Sequence, residues 1–264
     1  VENSFKNLIN YIEKKTAFRC QCYKEKPLKR RIRVRMRALD IKYFTDYELY
    51  LRKNEDELVK LVDTITINLS YFFRNLETFI FLKDYIFPEM KKRKDKFVFW
   101  SAGCAQGEEP YTLAIIAAES KMLEHVTIYA TDIDKKVLDI AQQGVYSDIA
   151  FQYAPDILKK RYFTRVDNGF SINKNVKKRV RFFKADLFTD PPFGSCDLIM
   201  CRNVMIYLGR EAQSTVLRNF YEHLAQYGYL VIGKVELLIG IPEIDLFKTI
   251  SRVEHVYQKK DVIS

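Results

Sequence analysis

The stretch from Phe97 to Ile116, FVFWSAGCAQGEEPYTLAII, restricts the fold more than any other part of this 264-residue chain. Residues 97–101 are apolar and strand-prone; small residues and two glycines follow, and then a helical pattern begins. Ligand-binding turns at the carboxyl end of a parallel strand are built this way, and most of them face phosphate. A P-loop needs G-x-x-x-x-G-K-[ST]. Here Gly103 and Gly107 are one residue too close, and Glu108 stands where the lysine belongs. A dinucleotide loop needs a third glycine, and two carboxylates at the helix start repel a pyrophosphate. ATP and NAD are both disfavoured.

The surrounding pattern supplies the frame. Strands are expected at 97–101, 126–131, 179–185, 197–201 and 229–233, with helices at 108–124, 135–143 and about 210–226. Asp134 reads as the N-cap and Gly144 as the stop of the helix at 135–143. RVEHVYQKK near the end alternates well enough for an edge strand. Strands alternating with helices imply a doubly wound, mainly parallel α/β sheet. The interval 145–178 breaks the rhythm, and Asn168-Gly169 between short alternating runs predicts a small β-hairpin appended to the sheet. Residues 1–63 hold no glycine and show three- and four-residue apolar spacing, which predicts an all-α domain of three or four helices. Residues 64–75 read as a linker, 76–92 as one amphipathic helix, and 76–264 as the second domain.

Parallel crossovers place ligands at the carboxyl ends of strands, and three acids fall there. Glu108 closes the glycine loop, Asp132 ends ATD after the second strand, and Asp186 follows RVRFFKA. The bland reading of Glu108 and Glu109 is first-turn acids complementing a helix dipole. Together with Asp132 placed to grip a ribose and Asp186 with Leu187 placed to read and cover an adenine, they describe another ligand. That ligand has an adenosine end, a cationic end and no phosphate, as S-adenosylmethionine does.

Composition narrows the rest. The formal charge of +10 points to an acidic partner. Between Lys24 and Arg37, KEKPLKRRIRVRMR carries eight basic residues against one acid, and helical spacing puts Arg31 and Arg35 on one face as candidates for substrate docking. Five cysteines with no C-x-x-C pair, and an opening VENSFKNLINYIEKK without a secretion-signal core, imply a cytoplasmic setting. Neither a metal site nor membrane insertion is expected.

The motifs TINLSYFFRN, WSAGCAQGEEPYTLAI, ATDID and CRNVMIYL, in this order, resemble the chemotaxis receptor glutamate methyltransferases of the CheR type, and the basic KRRIRVRMRALDI matches the family's helical N-terminal domain. The resemblance runs from about Lys26 to the end. It implies a class I methyltransferase fold that transfers methyl from S-adenosylmethionine to glutamate carboxylates of methyl-accepting chemotaxis receptors, leaving S-adenosylhomocysteine. By motif it assigns the cofactor to Asn68, Ser70, Arg74, Glu108, Asp132, Asp186, Leu187, Arg202 and Asn203. Ser70 departs from the commoner threonine but keeps a hydroxyl, and Asp186 stands where asparagine is frequent. The hairpin is short and lacks a glycine-arginine cluster, so action without a receptor tether is expected.

A glutamate acceptor is ionised at neutral pH and needs no general base. Arg202, or Arg74, is then a candidate to hold an anion and Tyr207 to orient the attacking oxygen. Two other readings remain open. A nucleic-acid methyltransferase would explain the charge, and DPPF at 190–193 imitates a D-P-P-Y loop, but it precedes the fourth strand instead of following it. A binding module that has lost transfer would keep the same pocket.

Overall fold

A computed structural model describes residues 2–16, 18–66 and 70–261. The chain forms two compact units, Val1–Asn68 with Tyr207–Gln213, and Leu69–Ile206 with Ser214–Ser264.

Among its described residues the first unit is built on α1 (Glu2–Lys15), α2 (Glu25–Ala38), α3 (Phe44–Lys53) and α4 (Glu55–Ile65). Leu8 and Ile12 of α1, Ile32 and Met36 of α2, Leu51 of α3 and Leu61 of α4 are buried together, as their helical spacing requires. α4 opens with Glu55, Asp56 and Glu57, which complement the helix dipole. Tyr207–Gln213 joins this unit through backbone pairing: Lys24 N donates to Tyr207 O at 2.8 Å, and Gly209 N donates to Cys22 O at 2.8 Å. Tyr23 and Leu208 form the bridge between them.

The second unit begins with α5 (Leu76–Phe81), a π-helical segment (Leu82–Ile86) and α6 (Phe87–Lys91), so the single helix expected over 76–92 is interrupted. Strands and helices then alternate: β1 (Phe97–Ala102), α7 (Glu108–Glu119), β2 (Val126–Asp132) and α8 (Lys135–Gln143). A small antiparallel sheet follows, of β3 (Val145–Tyr146), β4 (Phe163–Val166) and β5 (Gly169–Ile172), with α9 (Asp156–Tyr162) between its strands. After α10 (Lys174–Lys177) come β6 (Val180–Lys184), β7 (Cys196–Cys201), α11 (Arg210–His223), β8 (Leu224–Ile232), β9 (Phe247–Ser251) and β10 (Val256–Lys259).

Among the described residues the main sheet has seven strands in the order β6-β2-β1-β7-β8-β10-β9. The pairs β6–β2, β2–β1, β1–β7 and β7–β8 are parallel, and β10 runs antiparallel to both neighbours. The order reverses at β1, so the glycine turn lies at a topological switch point, where crevices open in doubly wound sheets.

Two sequence expectations need correction. The small sheet is separate from the main one and three-stranded, because β3 pairs along β5. A Cβ at Gly169 would meet Tyr146 O at 2.2 Å, so that crossing admits only glycine. The expected edge strand near the end, β10, lies inside the sheet, and β9 is the edge. β9 escapes a pattern search because Phe247 is its one buried residue.

Candidate cofactor site

The glycine turn is bent back over β2. Gly103 (φ +76°), Ala105 (φ +47°) and Gly107 (φ +92°) take left-handed conformations, and the N–H groups of Gly103 and Cys104 both donate to Thr131 O. Glycine at 107 is required twice over, since a Cβ there would meet Ala141 Cβ at 2.9 Å. Asp132 pins the same turn. Its Oδ2 accepts from Ala105 N at 2.9 Å and its Oδ1 from Asp134 N at 3.0 Å. Burial raises its pKa, and these N–H donors oppose the shift. A carboxylate has lone pairs for more than two donors, so a ribose hydroxyl still has acceptor capacity to meet.

Glu108, in the first turn of α7, is 3 % exposed, and its Oε2 is buried with no hydrogen-bond partner among the described residues. Burial pushes its carboxyl up to about 7. A buried carboxylate oxygen without a partner is costly, and a cation is a group that relieves it. Glu109 accepts from Ser101 Oγ at 2.8 Å and lies 3.7 Å from Arg202 Nη1.

Arg202 is itself in the interior. Its Nη2 donates to Arg74 O at 2.8 Å and to Asn75 Oδ1 at 2.7 Å, and its side chain is 3 % exposed. Arg202 therefore ties the end of β7 to the segment before α5, with both Nη groups turned to protein. That segment is strained around Arg74, with Phe73 at φ +58° and Asn75 at φ +59°. Phe73 N donates to Thr112 Oγ1, which donates to Glu108 O, so the segment is hung on the helix that carries Glu108. Ser70 is half-buried in the same segment. Asn68 lies outside the described residues.

At the next strand end, Asp186 Oδ1 accepts from Phe188 N at 3.1 Å and forms a tight turn. Leu187 is half-buried, and its carbonyl accepts from Asn219 Nδ2 of α11. Ala185 N donates to Asp132 O, which brings these two strand ends together. DPPF is accounted for by packing: Phe193 stacks on Tyr129 at 4.4 Å and meets Trp100 edge-on. Tyr207 falls in the helical unit, with its carbonyl accepting from Lys24 N.

Within the helical unit, the docking candidates Arg35 and Arg31 have different surroundings. Arg35 Nε and Nη2 donate to the two oxygens of Glu57 at 2.9 and 2.7 Å, and Tyr47 Oη donates to Glu57 at 3.0 Å. Arg31 is half-buried with its Nε enclosed. The outward face carries Lys26, Arg30, Arg33 and Arg37, which with Lys29 and Lys42 line an open groove of about 710 Å³ holding one acid, Asp40. The sequence pattern showed the basic run but not which face Glu57 would claim.

Among the described residues, no cluster of three or more His, Cys, Asp or Glu could hold a metal, and no helix is long and apolar enough to cross a membrane.

A doubly wound sheet, a glycine turn without a phosphate-binding lysine and a buried carboxylate oxygen with no hydrogen-bond partner among the described residues fit the S-adenosylmethionine-dependent methyltransferase class. Family models agree along the chain: "CheR methyltransferase, SAM binding domain" matches residues 68–253, and "CheR methyltransferase, all-alpha domain" matches residues 3–66. The chain belongs to the CheR methyltransferase family. It is similar to the chemotaxis protein methyltransferase of Borreliella burgdorferi, 35 % identical over 78 % of this chain and 77 % of that protein. The Listeria innocua protein of that name is 32 % identical over 83 % and 84 %, and chemotaxis protein methyltransferase 1 of Vibrio cholerae is 33 % identical over 72 % of each. The protein is thus an S-adenosylmethionine-dependent methyltransferase of the chemotaxis type.

Proposed function

We propose that this protein methylates glutamate side chains on the helical region of methyl-accepting chemotaxis receptors, giving glutamyl methyl esters in the cytoplasm. Support for this substrate comes from one observation above others, the cationic groove along α2, which suits an acidic helix. When bound, S-adenosylmethionine supplies an electrophilic methyl group on a sulfonium.

The chain's own residues do the rest. Glu108 offers its partnerless oxygen to the cationic end of the cofactor. Asp132 holds the turn and takes the ribose. Asp186 and Leu187, with Ser70, Arg74 and Asn203, complete the cofactor site. Arg202 positions the Arg74 segment through its carbonyl contact. Tyr207 is the candidate to orient the attacking oxygen. No base is required, because a glutamate acceptor is ionised at neutral pH. Catalysis then rests on alignment and on partial stripping of water from the carboxylate.

The test is to incubate the protein with methyl-labelled cofactor and receptor membranes, then expose the product to mild alkali. An ester loses its label, whereas methylamines and methylated bases keep it. Alkali-stable label would contradict the reading, and label on RNA or DNA with a salt-dependent gel shift would favour a nucleic-acid substrate. The absence of any transfer would favour a binding module.

A further inference from the structure

Outside the residues already assigned, one buried carboxylate is wired to the catalytic end of the sheet. Glu236 follows β8 by four residues and is 2 % exposed. Its Oε1 accepts from Val204 N at 3.0 Å and Met205 N at 2.7 Å, and its Oε2 from Asn203 N at 3.0 Å and from Gly233 N. Three consecutive amides of the loop after β7 thus converge on one side chain. Convergence needs an alternation of backbone handedness, and Asn203 supplies it at φ +63°. The arrangement is an anion nest filled from within.

The surroundings leave this loop little choice. A Cβ at Gly233 would meet Glu236 Oε2 at 2.7 Å and Asn203 N at 2.9 Å, so glycine is needed for the approach. On the other flank, a Cβ at Gly103 would meet Val204 Cγ2 at 2.6 Å, so the loop packs directly on the glycine turn. Because every peptide here is trans and planar, N–H groups aimed at Glu236 turn the carbonyls of Arg202, Asn203 and Val204 the opposite way.

We propose that Glu236 is a positioning residue for methyl transfer: its carboxylate fixes the peptide planes of 203–205, and through them Asn203 and the close packing on the glycine turn. The proposal rests on the cofactor assignment of Asn203 made above. Burial raises the Glu236 pKa while the four N–H donors pull against that shift, so its acceptor oxygens, not its volume alone, matter to the loop.

Glu236→Gln keeps the shape but turns an amide NH2 toward two of the N–H donors. The expected result is a Kd for S-adenosylhomocysteine weakened threefold or more as Asn203 is displaced, together with a drop in kcat of tenfold or more. Amide exchange at 203–205 should quicken at least tenfold in the same variant. Glu243→Gln, which removes a carboxylate that accepts from Arg218 far along the chain, serves as the control and should leave kcat unchanged. An unchanged kcat in Glu236→Gln, a Kd that stays at the wild-type value, or an equal kcat loss in the control would overturn the proposal. If Glu236→Gln does not fold, Glu236→Asp, with the carboxylate withdrawn by one methylene, is judged by the same criteria. Failure of wild-type transfer to receptor sinks the substrate reading instead, and exchange at 203–205 then decides the role of Glu236: unaltered protection overturns it.

Discussion

Glu108 and Glu109 open α7, and burial pushes both carboxyls up to about 7. A carboxyl with a higher pKa folded than unfolded contributes stability below its unfolded value near 4.5 and loses it as pH rises through about 7. Paired acids such as Glu57 and Glu119 act in the opposite sense, their pKa values being lowered. The difference between wild type and Glu108→Gln isolates the one group. Without ligand, the variant should gain stability relative to wild type as pH rises from about 5 to 8, as read by urea unfolding at each pH. A difference independent of pH would contradict a buried Glu108. This residue was legible in the sequence because its position in the glycine turn opposed every phosphate reading. The burial of Arg202 was not legible, since its partners Arg74, Asn75 and Glu109 come from far along the chain.

At the scale of elements, α2 separates two kinds of arginine. The periodicity showed a helix with Ile32 and Met36 inward, and the structure agrees. It could not show that Arg35 would be held by Glu57, twenty-two residues away on α4. Arg30→Glu with Arg33→Glu is expected to raise KM for receptor severalfold, more at low salt than at high, with S-adenosylhomocysteine affinity unchanged. Arg35→Glu should instead destabilise the protein by about 3 kcal/mol, because Glu57 is left buried without its counter-charge. Equal KM effects from the two faces would remove the distinction. The third strand of the small antiparallel sheet, β3, and β9 mark the other limit of pattern reading. A two-residue strand such as β3 and a strand with one buried residue carry no periodic signal.

Across the whole molecule, the alternating strand–helix order announced the doubly wound sheet, and the glycine-free first third announced the bundle. The return of the chain to the helical unit at Tyr207–Gln213 was not legible, because it depends on backbone pairing at Tyr23–Leu208 and Gly209–Cys22. This return predicts that residues 1–66 cannot be removed without consequence. A chain starting at residue 70 loses the partners of Leu208 and Gly209, and amide exchange at 208–209 should rise by at least an order of magnitude. Wild-type protection in the truncated chain would contradict the pairing. Tyr207 lies in that same segment, so transfer activity should fall with it.

The central claim is that a buried carboxylate with an unmatched oxygen receives a cationic methyl donor. Calorimetry of S-adenosylmethionine binding at pH 6.5, repeated in buffers of different ionisation enthalpy, reads it most directly. Wild type should release on the order of half a proton per ligand bound as Glu108 ionises, bind more tightly toward pH 8, and show little heat with ATP. Glu108→Gln should bind more weakly at pH 8 and release almost none. Equal proton release and affinity in the two proteins, or ATP bound as tightly as S-adenosylmethionine, would contradict the account.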